Sequence, residues 1–201
     1  MNTFGSKAVL KRNLKEYLTL KGYTNLKQNS FVFELTNVIL ILMESLLKNC
    51  IEFVEKNETN GIYNLKMDVL KIVILENYDF LNKYKSFNNL VLYKNNMFFN
   101  IDLLYSYVEN IIGNKLMIDN MTKNYINYLL MSFQYDVVNL SCLCIDYSGR
   151  KTLSSKLLLT TLNFFIENKN LFNLINIKLD CVKDKEEDND DNVNETIVDS
   201  H

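Results

Sequence analysis

The sequence predicts an all-α protein that consists of two similar units joined by a linker. The chain of 201 residues contains no proline and only five glycines, so helices can run without interruption. A sandwich or a barrel would need many more turn residues than this chain offers. The second observation is that 48% of the residues are hydrophobic, which is enough to bury a core. The third is that one order of helices, short–long–short, occurs twice.

The first unit occupies residues 1–85. Its predicted helices are a short amphipathic one, a long one, a shorter one and a final turn or two, at residues 7–21, 31–56, 65–76 and 79–85. Ser30 is the predicted N-cap of the long helix. The middle of that helix, Val38–Met43, is apolar on all sides. It must therefore be covered from more than one direction.

The second unit, residues 101–181, follows a linker at residues 86–100 that contains five asparagines. Its predicted helices are again short, long and short, at residues 101–112, 121–146 and 154–167. A final segment, residues 182–201, contains eight acidic residues and two lysines. Because it has few apolar residues to offset the entropy of ordering, we expect it to be disordered.

The two units are related by a shift of 88 residues. This shift aligns glycines, aromatic residues and core positions: Gly61 with Gly149, Leu65 with Leu153, Val69 with Leu157, Leu70 with Leu158, Ile74 with Leu162, Leu42 with Leu130, Met43 with Met131, and Tyr17 with Tyr105. Repetition of a unit that cannot cover its own central helix predicts that the two units cover each other.

Several classes of site have no support in the sequence. The only histidine is His201, so zinc sites and histidine-based acid–base catalysis are not expected. No glycine-rich phosphate loop, nucleophile motif or metal cluster is present. We therefore expect no enzymatic activity, no metal and no cofactor.

The cysteines argue against a metal site, and the apolar runs argue against a membrane span. Cys142 and Cys144 lie two positions apart on a predicted helix and so face different sides. We expect buried free thiols in a reducing intracellular compartment rather than a metal site. The longest apolar run, Val38–Met43, is far shorter than the roughly 20 residues of a membrane span. Basic residues also interrupt any signal-peptide pattern at the N-terminus.

Four segments resemble core histones. Gly149–Leu153 leading into Ser154–Leu158 is similar to the second loop and third helix, with a basic pair, a threonine and an N-cap. Ile126–Phe133 is similar to the central helix of the B-type histone of the outer dimer. Leu46–Val54 and Leu75–Lys83 are similar to the A-type partner, including its extra C-terminal helix. The chain thus resembles the histone doublets of large DNA viruses.

The resemblance implies two tandem histone folds that pair head to tail in an intrachain handshake. It also implies binding to the backbone of double-stranded DNA and packaging in a nucleosome-like particle, with a second histone doublet as partner. It implies no membrane association, and a location in the host nucleus, the viral factory or the virion. The DNA contacts that it implies are Lys11, Arg12, Lys15, Lys21, Lys27, Lys115, Lys123, Arg150, Lys151 and Thr152.

Two alternatives stay open on the sequence alone. Residues 1–181 contain 20 basic and 16 acidic residues, a net charge of only +4, and the acidic segment follows. This balance also suits a histone-fold subunit of a transcription-regulatory complex, or an acidic histone mimic. Most of the lysines could equally form a solvated helix face. Aromatic residues at helical spacing, such as Phe31 and Phe133, fit core packing better than base stacking.

Overall fold

The computed structural model describes residues 12, 14–23, 29–57, 63–84, 116–150, 152–167 and 169–190; at 29, 57, 63, 116 and 180–190 it describes the backbone only. Its elements are α1 (residues 14–20), α2 (Asn29–Asn57), β1 (Tyr63–Leu65), α3 (Met67–Asn77), α4 (Asp79–Asn82), β2 (Leu116–Ile118), α5 (Asn120–Ser148), α6 (Ser155–Phe165) and α7 (Lys169–Asp190).

The protein is predominantly helical and is dominated by two long helices, as the sequence predicted. Each long helix has 29 residues and spans about 43 Å at 1.5 Å per residue. Both extend slightly beyond their predicted bounds. The linker predicted at residues 86–100 and the helix predicted at residues 101–112 lie outside the described residues.

The ends of the helices follow local capping chemistry. The Asp119 carboxylate accepts a hydrogen bond of 2.7 Å from the Thr122 backbone N–H and so caps α5. Ser154 caps α6 through the Leu157 backbone N–H. The prediction of Ser30 as the N-cap of the long helix is wrong, because α2 begins at Asn29 and Ser30 lies inside its first turn.

Two short strands were not predicted from the sequence: β1 covers the end of a predicted loop and Leu65, the first residue of a predicted helix, and β2 lies in a predicted loop. β1 and β2 pair in parallel, with Tyr63 opposite Leu116 and Leu65 opposite Ile118. Strands of three residues are too short to show the alternation of apolar and polar residues from which a strand is predicted. Their pairing depends on contact between the two halves of the chain.

The two long helices run in opposite directions. β1 follows the C-terminal end of α2 and pairs with β2, which immediately precedes α5. At the other end, the Ser155 hydroxyl at the start of α6 donates a 2.6 Å hydrogen bond to the carboxylate of Glu34, near the start of α2. The end of α2 therefore lies near the start of α5, and the start of α2 lies near the start of α6.

Polar contacts between the halves extend along α5. The Tyr17 hydroxyl donates to the Asn139 side chain at 2.8 Å. Lys83 and the hydroxyl of Tyr84 both donate to the same carboxylate oxygen of Asp136, at 2.9 and 2.6 Å. Lys83 also lies 4.3 Å above the ring of Phe165, a favourable cation–π position. The end of the first half is thus tied to α5 and α6.

Apolar side chains from both halves form one core. The Phe133 ring on α5 lies 5.1 Å from the ring of Phe80 in the first half and 5.9 Å from that of Phe165. In the middle of α2, Val38–Met43 is buried on every side, as the sequence predicted. This pattern reflects cover by α3, α5, α6 and α7, all of which contact α2.

Both long helices are apolar enough, by length and composition, to cross a membrane. The two segments are Ser30–Lys56 and Asn120–Ser148, of which the apolar stretches are 78% and 67% buried inside the protein. The uninterrupted apolar runs in the sequence are short and therefore predicted no such segment. Run length understates the hydrophobicity of these two helices. Burial against the rest of the core accounts for this composition.

Helix α7 was not predicted from the sequence. It runs to Asp190, so the boundary placed at residue 182 falls within a helix. Residues 191–201 lie outside the described part of the chain. The signal that could have revealed α7 is the i, i+4, i+8 spacing of Leu171, Ile175 and Leu179, all three of which are buried. Once these residues anchor the helix, its lysines and glutamates extend it without a new nucleation step.

We expect the first half alone to be poorly folded. In a Met1–Ser86 fragment the apolar surface of α2 loses its cover from α5, α6 and α7, so the fragment should aggregate or lack cooperative thermal unfolding. Circular dichroism and analytical ultracentrifugation measure both properties. Addition of the 87–201 fragment should restore cooperative unfolding. A stable, cooperatively folded monomer of Met1–Ser86 would contradict mutual cover of the two halves.

The docking of α7 can be tested with two isoleucines of the same helix. Ile175 is fully buried, whereas Ile177 is 62% exposed. Ile175→Ala should lower the free energy of unfolding by about 2 to 5 kcal/mol because it leaves a cavity. Ile177→Ala should change it by no more than about 0.5 kcal/mol. Denaturant titration measures both, and equal effects would show that α7 is not packed through Ile175.

Candidate DNA-binding surface

Six of the ten predicted DNA contacts fall in the described part of the chain: Arg12, Lys15, Lys21, Lys123, Arg150 and Thr152. The other four, Lys11, Lys27, Lys115 and Lys151, lie outside it. Lys21, Arg150 and Thr152 lie at one end of the antiparallel long helices and Lys123 at the other, whereas Arg12 and Lys15 lie at or before the start of α1. We call the first the Arg150 end; it consists of the end of α1, the start of α2, the loop that carries Arg150 and the start of α6. We call the second the strand-pair end; it consists of β1, β2 and the starts of α3 and α5.

Cations from both halves come together at the Arg150 end. The C-terminal turn of α1 lies against the C-terminal half of α5, where the Tyr23 hydroxyl donates a 2.6 Å hydrogen bond to Asp146. Lys21, in the same turn, is exposed and lies 5.6 Å from the ring of Tyr17. Lys15 is exposed in the first turn of α1, six residues before Lys21. Because Asp146 precedes Arg150 by four residues, the C-terminal turn places Lys21 near the second-half loop that carries Arg150.

Local backbone geometry explains why the C-terminal turn of α1 ends where it does. Gly22 has a φ of 88°, in the left-handed region that favours glycine. Its N–H donates to the Thr19 carbonyl, and the N–H of Tyr23 donates to the Leu18 carbonyl. These bonds satisfy carbonyls at the end of the helix and direct Tyr23 towards Asp146.

Arg150 lies two residues past Ser148, the last residue of α5, and is exposed. Gly149 ends that helix with a φ of 65°, again in the left-handed region. Thr152 is exposed and forms an isolated β-bridge, and Ser154 then caps α6. Arg150 thus lies in a short, anchored loop directly before a helix N-terminus, where the helix dipole favours an anion.

Lys156 belongs to this end although it was not among the predicted contacts. It is exposed in the first turn of α6, next to Ser155. The buried carboxylate of Glu34 accepts the Ser155 hydrogen bond and fixes the start of α6 against α2. The signal was available, because Lys156 stands inside the segment that resembles a core histone.

The strand-pair end carries a more balanced set of charges. Because β1 and β2 are parallel and each is followed after one residue by a helix, the N-termini of α3 and α5 lie side by side. Lys66, which was not predicted, is exposed at the N-cap position of α3, and Lys123 is partly exposed in the first turns of α5. Asp68 and Asp119 lie at the same two helix starts. A backbone hydrogen bond from Thr122 lowers the pKa of Asp119, so this carboxylate stays charged.

Arg12 is less available than its position suggests. Its guanidinium lies 3.9 Å from the carboxylate of Glu16, one turn later, and both side chains are largely exposed. A pair with this exposure contributes little to stability and is easily exchanged for another anion. Arg12 therefore remains a candidate contact, but a weaker one than Arg150.

The two buried thiols, Cys50 and Cys142, are not suited to nucleophilic chemistry. Burial raises the pKa of Cys50 to about 12 and that of Cys142 to about 11. Cys142 is buried and Cys144 exposed, which confirms that the two face different sides of their helix. Among the described residues no group of three or more histidine, cysteine, aspartate or glutamate side chains could hold a metal ion.

Glu44 holds α7 onto α2. Its carboxylate accepts hydrogen bonds from Lys48 at 2.6 Å and from Lys178 of α7 at 3.1 Å. Partial burial raises the pKa of this carboxyl, but the hydrogen bonds from Lys48 and Lys178 outweigh burial, so the pKa is lower than its usual value. A lowered pKa stabilises the folded protein above the unfolded pKa, and this stability is lost as the pH falls.

We expect the contribution of Glu44 to stability to depend on pH in that direction. Wild type should be more stable than Glu44→Gln at pH 7, and the difference should shrink as the pH falls below the ordinary value of 4.5. Thermal unfolding at a series of pH values measures this. The matched control is Glu52→Gln, an exposed acid on the same helix, which should show a small difference at every pH. A constant difference for Glu44→Gln would contradict the ion-pair role.

Comparison with models of protein families, with curated proteins and with solved structures gave no match.

Proposed function

We propose that the protein is a histone doublet that binds and packages double-stranded DNA through its phosphate backbone. The observation that carries this proposal is the head-to-tail packing of two units, each with a long central helix, within one chain. In this arrangement the strand-pair end and the Arg150 end each combine a loop or helix start from both halves. That is the geometry expected of an intrachain histone handshake.

The chemistry of the Arg150 end supports backbone binding. Arg150 and Lys156 flank the N-terminus of α6, and Lys15 and Lys21 lie on the helix that packs against the neighbouring end of α5. Cations that neutralise phosphates, together with backbone N–H groups at a helix start, bind DNA without reading its bases. The Arg150 end is the stronger of the two candidate sites, because it carries an exposed arginine, which can bind a phosphate through two parallel N–H groups.

A regulatory or mimic function is the second candidate. It is supported by the carboxylates at both helix starts of the strand-pair end and by the acidic residues that follow Leu179. A histone-fold subunit of a transcription-regulatory complex would prefer particular base sequences. An acidic histone mimic would not bind duplex DNA at all and would instead bind histone-binding proteins.

The proposal includes a second doublet as partner and a viral setting. Leu143 and Tyr147, one turn apart on the C-terminal half of α5, are 50% and 92% exposed and offer an uncharged contact surface for another doublet. A packaging protein of this type acts where viral DNA is held, in the host nucleus, the viral factory or the virion.

Arg150→Ala tests the proposed function. It should weaken binding to unrelated duplexes by similar factors, and the slope of log affinity against log salt should lose about 0.9 for one phosphate contact. Fluorescence anisotropy at graded salt on two unrelated duplexes measures both. The matched control is Lys169→Ala, which removes an exposed cation at the start of α7 and should leave the slope unchanged.

Each other outcome has a defined meaning. Loss confined to one duplex sequence would support the regulatory subunit. An unchanged slope would remove Arg150 from the DNA-binding surface. Absence of duplex binding by the wild-type protein at low salt would contradict packaging and favour the histone mimic.

A further inference from the structure

The C-terminal part of α7 is an acidic helix that continues beyond the part of α7 packed on α2. The packed part carries the buried residues Leu171, Ile175 and Leu179 and the Lys178–Glu44 ion pair. The helix then continues to Asp190. Residues 180–190 contain six acidic residues and two lysines, a net charge of −4. Neither the core nor the proposed DNA-binding surface requires this charged extension.

The contacts of α7 determine where the extension is directed. Near its start, Asn170 and Leu174 line a cleft together with Ser45 and Asn49 of α2. Two turns later, Lys178 reaches Glu44. As the residue numbers rise along α7, those of its contacts on α2 fall. Helix α7 therefore runs along α2 in the opposite direction.

This direction leads towards the Arg150 end. From residue 178 to residue 190 an α-helix advances about 18 Å. The same distance along α2, from Glu44 towards its start, reaches the turn that contains Glu34. There Glu34 binds Ser155 of α6, beside the exposed Lys156 and the loop that carries Arg150.

We propose that the acidic end of α7 is an autoinhibitory segment that competes with DNA for the cations of the Arg150 end. This inference rests on the proposed function, since it names the regulation of the same surface. The segment belongs to the same chain, so its effective concentration at the Arg150 end is high, on the order of millimolar. DNA must displace it, and a basic partner that binds the acidic helix would release the cations.

The competing explanation is that the acidic residues only lower the net charge of the protein. A general effect of this kind would weaken DNA binding wherever the acids lie, whereas direct competition depends on their position. Both effects decrease with salt, because the Debye length is only about 10 Å at 0.1 M. The test must therefore compare equal changes of charge at two places.

The first experiment compares two variants that each remove four negative charges. The α7 variant is Glu186→Gln, Glu187→Gln, Asp188→Asn and Asp190→Asn. The control variant removes four exposed acids that lie outside α7 and away from the Arg150 end: Glu52→Gln, Glu76→Gln, Asp79→Asn and Glu167→Gln.

At low salt the α7 variant should bind a duplex about tenfold more tightly than wild type, and the control about threefold or less. With Arg150→Ala and Lys156→Ala added, the excess gain of the α7 variant should disappear. Equal gains for the two variants would overturn the proposal.

The second experiment measures the contact without DNA. A carbodiimide joins carboxylates directly to amines that touch them, and mass spectrometry of the full-length protein identifies the pairs. Links between Lys156 and acids of residues 184–190 should form at low salt and decrease at high salt, and their absence would overturn the proposal. Failure of the proposed function is a different result: no protein would bind the duplex, while the crosslinks would still form.

Discussion

The structure depends on a single constraint, which is that neither long helix can be covered by its own half of the chain. The middle of α2 is buried on every side, and a continuous stretch of α5, Tyr125–Gln134, is buried as well. Burial of each of these helices removes so much apolar surface from water that packing of the two halves dominates the stability of the folded protein. The buried side chains of the described residues therefore form one core that spans both halves.

The antiparallel order of the two long helices has a direct consequence for the candidate surface. Because the long helices are antiparallel, each end of the protein combines a loop from one half with a helix start from the other. At the Arg150 end, α1 packs against α5 and α6 is fixed to α2 by the Ser155–Glu34 hydrogen bond. At the strand-pair end, the parallel strands hold two helix N-termini side by side. Both candidate sites exist only when the halves are packed.

Charge distinguishes the two ends and limits the binding strength of both. At the strand-pair end, Lys66 and Lys123 stand beside Asp68 and Asp119; at the Arg150 end the acids are the buried Glu34, which is hydrogen-bonded to Ser155, and Asp146, which is hydrogen-bonded to Tyr23. With only two arginines in the chain, the protein relies mostly on lysine, which binds phosphate as a point charge rather than as a bidentate fork. Binding by such a surface is sensitive to salt and to nearby acids, which is why the direction of α7 matters.

The sequence by itself determined helices α1 to α6, most of their ends and the duplication, but not α7. Ser154 and Gly149 act through hydrogen bonds and dihedral angles within a few residues, and the long apolar helices follow from composition and periodicity. Tertiary structure decided the β1–β2 pair, the place of Lys66 beside Lys123, and the docking of α7 by Lys178 on Glu44. These depend on contacts between residues more than 50 positions apart. Local propensity carries no information about such contacts, because the free energy that stabilises them comes from burial between segments and appears only when the halves have met.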